Sequence, residues 1–184
     1  TIAIQDVNAD GYGDVIVGAH GGTANNGYTR IFFGQATPLT ATLPTHAGYT
    51  VLGEFVGHQF GRGTAGTDIN GDGYGDIAIG TPLFDNGQID EGKVDLYNGS
   101  ASGLTTSSWT GEPNQENTFY GWSVAGVDDV NGDGYSDFIV GARKADNTLK
   151  DRGRASVYYG NGIGGTRVTA RQFRGDFTAP VVPA

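Results

Sequence analysis

A nine-residue pattern that occurs three times constrains this chain more than any other feature. It reads Asp6-Val-Asn8-Ala-Asp10-Gly11-Tyr12-Gly-Asp14, then Asp68-Ile-Asn70-Gly-Asp72-Gly73-Tyr74-Gly-Asp76, then Asp129-Val-Asn131-Gly-Asp133-Gly134-Tyr135-Ser-Asp137. The copies begin 62 and then 61 residues apart. Self-similarity at such a period is the mark of a repeat architecture in which every unit is built alike.

The units also agree outside the pattern. Each copy runs into a short apolar stretch that ends in Gly18-Ala19, Gly80-Thr81 or Gly141-Ala142. After a polar connection of variable length, a glycine opens an alternating segment: Gly27–Phe33, Gly92–Tyr97 and Gly153–Tyr159. A turn follows, such as Asn98-Gly99-Ser100 or Gly160-Asn161-Gly162, and then a weaker fourth segment. An aromatic-glycine pair, Phe60-Gly61 or Tyr120-Gly121, opens the next unit. Period-2 alternation bounded by turn residues predicts strands, and no window carries a helical stripe. The 33 glycines among 184 residues, against the usual ~7%, fit many tight turns. Four short strands per unit of about sixty residues is the signature of a propeller blade. An open β-solenoid usually has shorter coils, and a β-sandwich leaves the repeat unexplained.

Within the pattern, Asp, Asn and Asp at positions 1, 3 and 5 direct oxygens toward one centre. Glycine at position 6 permits the sharp turn, the residue at 7 offers its carbonyl, and Asp at 9 closes the shell. Hard oxygen donors suit Ca²⁺ at ~6–8 coordination, whereas Mg²⁺ demands a stricter octahedron. No His or Cys stands near, which disfavours zinc and copper. An EF-hand needs Glu at position 12 and flanking helices. Position 12 here is Val17, Ile79 or Val140, inside strand-like sequence. Ordinary Asp-Gly turns are the alternative reading, but three copies with every donor position intact favour the metal. Three carboxylates in one loop repel one another without a cation, and three Ca²⁺ would take the formal charge from −9 to −3.

The aromatic-glycine opening, this loop and the closing Val-Gly-Ala together resemble the FG-GAP repeat of integrin α-subunit propellers and their bacterial relatives. The resemblance covers residues 1–175, with units at roughly 1–59, 60–118 and 119–175 and a Pro-containing tail or linker at 176–184. It is closest from Tyr120-Gly121 to Gly141-Ala142, and the first unit lacks the opening pair. It implies all-β blades of four antiparallel strands with calcium between the first two strands. The implied ligands are Asp6, Asn8, Asp10, the Tyr12 carbonyl and Asp14. In the second unit they are Asp68, Asn70, Asp72, the Tyr74 carbonyl and Asp76, and in the third Asp129, Asn131, Asp133, the Tyr135 carbonyl and Asp137. Asp128 adds a carboxylate that leaves the start of the third loop open by one residue. Propellers close with about 4–8 blades, so three blades imply part of a longer propeller or a ring closed by association of chains.

The remaining features narrow the function. A formal charge of −9 argues against nucleic acid, whose phosphates need Lys and Arg. No apolar stretch approaches the ~20 residues of a membrane span. Cysteine and methionine are absent, so thiolate sites and disulfides are excluded, and the missing start residue implies processing, trimming or a fragment. His20, His46 and His58 fall at unrelated positions and form no catalytic arrangement with an acid or nucleophile. Arg174-Gly175-Asp176 spells an integrin-recognised tripeptide, Asn98-Gly99-Ser100 a glycosylation sequon, and Trp109 and Trp122 could stack on a sugar, although Trp122, beside Gly121, is expected to pack between blades. The expectation is a non-enzymatic, extracellular or cell-surface module that binds about three Ca²⁺ and serves adhesion or surface assembly. Its partner is a protein, a carbohydrate or further copies of itself. The alternatives are a lectin-like propeller, a structural subunit of an extracellular polymer, and an accessory domain of a secreted enzyme.

Overall fold

The computed structural model describes residues 1–21, 26–36, 48–145 and 153–161, together with the backbone alone of 47 and 169–174. The expected sequence of short strands is present. It runs β1 (Ile2–Gln5), β2 (Asp14–Ala19), β3 (Tyr28–Phe32), β4 (Ala47–Leu52), β5 (Gly63–Thr67), β6 (Asp76–Thr81), β7 (Lys93–Tyr97), β8 (Ser107–Gly111), β9 (Tyr120–Val127), β10 (Asp137–Ala142), β11 (Arg154–Tyr159) and β12 (Thr169–Arg174). These form three four-stranded antiparallel sheets, each a meander in chain order: β1 to β4, β5 to β8 and β9 to β12. No helix occurs among the described residues. The protein is all-β and built of propeller-type blades.

The blades stack face to face, and burial along each second strand follows its place in the stack. In β2 burial alternates, with Asp14, Ile16 and Gly18 buried and Val15, Val17 and Ala19 half-buried, because only one face has a neighbouring blade. In β6 all six residues are buried. Ile77 and Ile79 pack with Val7, Ile16, Ile31 and Phe60 toward the first blade. Ala78 joins Val94, Val124, Phe138 and Val140 toward the third. The middle blade lies between two others, so it needs apolar residues on both faces.

The aromatic-glycine pairs make the joints. Phe60 and Tyr120 are buried, and their backbones bridge to Gly27 and Gly92, the glycines that precede β3 and β7 of the previous blade. A Cβ at Gly27 or Gly92 would lie 2.2 Å from the Phe60 or Tyr120 carbonyl oxygen. Both glycines have positive φ, +78° and +76°. Only glycine permits this approach in this conformation, which explains why aromatic-glycine and strand-opening glycine recur together.

Both tryptophans lie between the second and third blades. Trp109 on β8 packs edge-on against Phe138 and Tyr158 of the third blade, which stack with centroids 4.9 Å apart. The Trp122 ring is flanked by the Arg62 and Arg143 guanidiniums at 4.3 and 3.9 Å. Each indole is engaged by neighbouring side chains, so neither stands free as a platform.

Candidate metal centre

Each repeated loop joins the first two strands of its blade: β1 to β2, β5 to β6 and β9 to β10. The backbone folds back twice. Position 6 is glycine at φ of +87°, +87° and +94°, and position 4 is also left-handed, occupied by Gly71, Gly132 and, unusually, Ala9 at +55°.

The folded loop turns its side-chain oxygens inward. In the first loop the Asp10 N–H donates to both Asp6 Oδ1 and Asn8 Oδ1, each at 3.2 Å. Oxygens from positions 1 and 3 thus converge on one donor. Gly11 N–H donates to Asp6 Oδ2, and Tyr12 N–H to Asp10 Oδ1, both at 2.9 Å. The third loop repeats the arrangement, with the Asp133 N–H shared by Asp129 and Asn131. The second matches it at positions 3, 5, 6 and 7. These bonds hold the Asp129 carboxyl below the usual carboxylate range, the Gly134 N–H contributing most. The structure also fixes the start of the third loop. Val130 N–H donates to Asp137 just as Ile69 N–H donates to Asp76, so Asp129 is position 1 and Asp128 is inserted ahead of it.

Position 9 stands apart from the others. Asp14, Asp76 and Asp137 are almost wholly buried. Each accepts one N–H from position 2 of its own loop and one from a glycine far along the same blade. Asp14 holds Val7 and Gly34, Asp76 holds Ile69 and Gly99, and Asp137 holds Val130 and Gly160, at 2.8 to 3.0 Å. The carboxylate thus clasps the repeated loop to the turn after the third strand. The Tyr Cβ at position 7 lies against the same glycine, where a Cβ would be 2.7 to 2.9 Å away. Sequence reading assigned position 9 only as a ligand and missed this tie. The glycine that closes each third strand is the signal that could have disclosed it. Burial pushes the Asp76 carboxyl up to about 7 against the lowering effect of the Gly99 and Ile69 N–H groups, and it raises Asp14 as well.

The residues brought together in each loop are therefore positions 1, 3 and 5 at the rim and position 9 beneath them, turned to backbone donors. Among the described residues no group of three or more His, Cys, Asp or Glu side chains is set as a ready metal shell. The donor chemistry nevertheless fits a hard cation. Carboxylate and amide oxygens gather in an exposed loop, and the one ion pair among the described residues, Lys93–Asp95, lies elsewhere. Among the described residues the loop carboxylates have no cationic partner, and in the second loop Asp72 and Asp68 raise the Asp76 carboxyl further.

Other sequence candidates fall away from the loops. His20 lies by Arg62 at 3.4 Å, and its pKa is lowered by burial and by that guanidinium. His58 packs with Phe55 and Phe84. Asn98 of the sequon accepts a hydrogen bond from the Ser108 hydroxyl and is half-buried. His46 and the Gly175-Asp176 end of the tripeptide lie outside the described residues.

Blades of four strands, joined by aromatic-glycine contacts and carrying an oxygen-rich loop between their first two strands, define a β-propeller-type module. The FG-GAP repeat family model matches residues 60–97 and 120–158. The chain carries FG-GAP repeats. It is similar to phosphatidylinositol-glycan-specific phospholipase D of Rattus norvegicus, 32% identical over 168 residues that cover 86% of this chain and 20% of that protein. It is also similar to integrin alpha-5 of Xenopus laevis, 31% identical over 86% of this chain and 16% of that protein, and to integrin alpha-8 of Gallus gallus, 31% identical over 85% and 16%. The matched part of the chain spans about a fifth or less of these relatives. The family model does not extend to the first unit, which lacks the opening pair, yet that unit has the same four strands and the same loop.

Proposed function

We propose that this chain is a calcium-binding, non-enzymatic, extracellular or cell-surface β-propeller module that serves adhesion or surface assembly. Its repeat units are residues 1–59, 60–118 and 119–175. The observation that carries the calcium reading is the threefold recurrence of one loop geometry, with Asp, Asn and Asp oxygens turned inward and no cationic partner among the described residues. The holding residues would be positions 1, 3, 5 and 9 with the carbonyl at 7, in each of three loops. Bound Ca²⁺ would neutralise the gathered carboxylates and stabilise the fold by mass action, because the unfolded chain presents no such site. The similarity to integrin alpha subunits supports a surface role and a protein partner. The phospholipase similarity covers a fifth of that enzyme, which keeps the accessory-domain reading beside it. No helix among the described residues is long and apolar enough to cross a membrane.

Calorimetric titration of the EGTA-treated chain with Ca²⁺ tests the proposal. The expected result is three ions per chain and a rise in melting temperature. Absence of both binding and stabilisation reduces the loops to acidic turns. A cleft of about 190 Å³ at the joint of the first two blades favours the lectin-like reading as second choice. Phe55, His58 and Phe84 wall it, beside the Lys93–Asp95 pair. Binding on a glycan array that is lost in Phe84→Ala would support that reading, and an array without signal would remove it.

A further inference from the structure

We infer that the three loops take up calcium as a coupled row, in which position 8 of the second and of the third loop positions the first ligand residue of the loop before it. The inference rests on the calcium reading above and concerns how the sites act on one another.

The loops touch across both blade joints. Gly75 N–H, at position 8 of the second loop, donates to the Asp6 carbonyl at 2.7 Å. Ser136 N–H, at position 8 of the third, donates to the Asp68 carbonyl at 3.3 Å. Position 8 lies between the two last ligands of its own loop, the carbonyl at 7 and the carboxylate at 9. The accepting residue supplies the first ligand of the neighbouring loop. One backbone hydrogen bond therefore spans the closing end of one site and the opening end of the next.

A second connection runs between the second and third loops. Asn161 N–H donates to the Ile69 carbonyl at 3.1 Å. The preceding Gly160 N–H donates to Asp137, and the Ile69 N–H donates to Asp76. The position-9 carboxylates of adjacent loops are thus joined through four consecutive backbone groups. The Tyr135 ring also lies against Gly71, where a Cβ would come 2.8 Å from Cε1, so the third loop packs on position 4 of the second.

These links couple binding through order. Calcium that fixes Asp129, Tyr135 and Asp137 also fixes Ser136, and with it the orientation of Asp68. The neighbouring loop then binds with part of its ordering already done. The effect must be reciprocal between the two sites. One or two backbone hydrogen bonds made firmer by the neighbouring ion correspond to roughly a two- to tenfold gain in affinity.

The test is calcium calorimetry on the chain and on Asn131→Ala/Asp133→Ala, which removes two ligands of the third loop and leaves the position-9 clasp in place. The reciprocal variant Asn8→Ala/Asp10→Ala serves if the first does not keep its circular dichroism spectrum. The expected result is two remaining ions per chain, with the affinity of the adjacent loop lowered about two- to tenfold. Two remaining sites with unchanged constants would overturn the coupling and leave the calcium reading intact. No binding by the unaltered chain would instead remove the calcium reading itself, and the coupling with it.

Discussion

Gly92→Ala is the sharpest probe of the blade joint. The residue sits at φ +76°, where an L-side chain costs ~1–2 kcal/mol. Its new Cβ would lie 2.2 Å from the Tyr120 carbonyl oxygen, 2.6 Å from the Tyr120 nitrogen and 3.0 Å from the Pro82 carbonyl oxygen. All three are backbone atoms, and Tyr120 is itself held by its N–H bond to the Glu91 carbonyl. Relief requires the blades to part, at the ~1–3 kcal/mol typical of overpacking. Alanine recovers ~0.5–1 kcal/mol by restricting the unfolded chain. The expected net loss is about 1–4.5 kcal/mol, or roughly 2–18 °C in melting temperature for a chain of this size. Gly87→Ala is the control. It has φ +92° with nothing within 4 Å of the new Cβ, so it carries the backbone strain alone. Urea unfolding followed by circular dichroism, in saturating Ca²⁺, measures both. Equal losses in the two variants would refute the idea that the carbonyl approach fixes the joint.

Three further outcomes are expected. Ala9→Gly should stabilise the chain by about 0.5–1 kcal/mol in urea unfolding, because Ala9 holds a left-handed φ of +55° where the other loops have glycine. Phe138→Ala should cost about 3–5 kcal/mol in the same assay, since its fully buried ring fills the joint beside Trp109 and Tyr158. Glu91→Gln should change the pH profile of stability. Burial raises the Glu91 carboxyl above its ordinary 4.5, helped by the charges of Glu112 and Asp85 and opposed by the Asn86 and Gln88 N–H groups. A raised carboxyl pKa means the fold favours the protonated form, so the native chain loses stability as pH rises from about 4.5 through the folded value. The glutamine variant should lack that decline, matching the native chain near pH 4 and exceeding it at pH 7. Parallel urea midpoints from pH 4 to 8 would contradict this.

The blades were legible in the sequence because alternation and punctuation both survive in it. The glycines at 27, 92 and 153 stand one residue before their third strands, and the aromatic-glycine pairs stand at the joints. The recurrence of the loops was equally legible, and the structure turns the side-chain oxygens of positions 1, 3 and 5 inward onto the loop's own N–H groups. The double duty of Asp14, Asp76 and Asp137 was not. Their second partners are backbone N–H groups at Gly34, Gly99 and Gly160, and a backbone donor shows in residue identity only indirectly, here through the recurring glycine that closes each third strand. The bonds between loops were hidden for the same reason. The role of Trp109 was hidden too, because its partners lie in the following blade, on β10 and β11.

The joint between blades has a genetic consequence. One half of it, the glycine before the third strand, is encoded midway through a unit, and the other half, the aromatic-glycine pair, is encoded at the start of the following unit. A tandem duplication of about sixty codons therefore copies both halves together, and the new unit arrives already fitted to its neighbours on either side. Such head-to-tail contacts extend without new surfaces until rotation closes them. Units copied in this way can still differ at single positions, as position 4 does, which is alanine in the first loop and glycine in the other two.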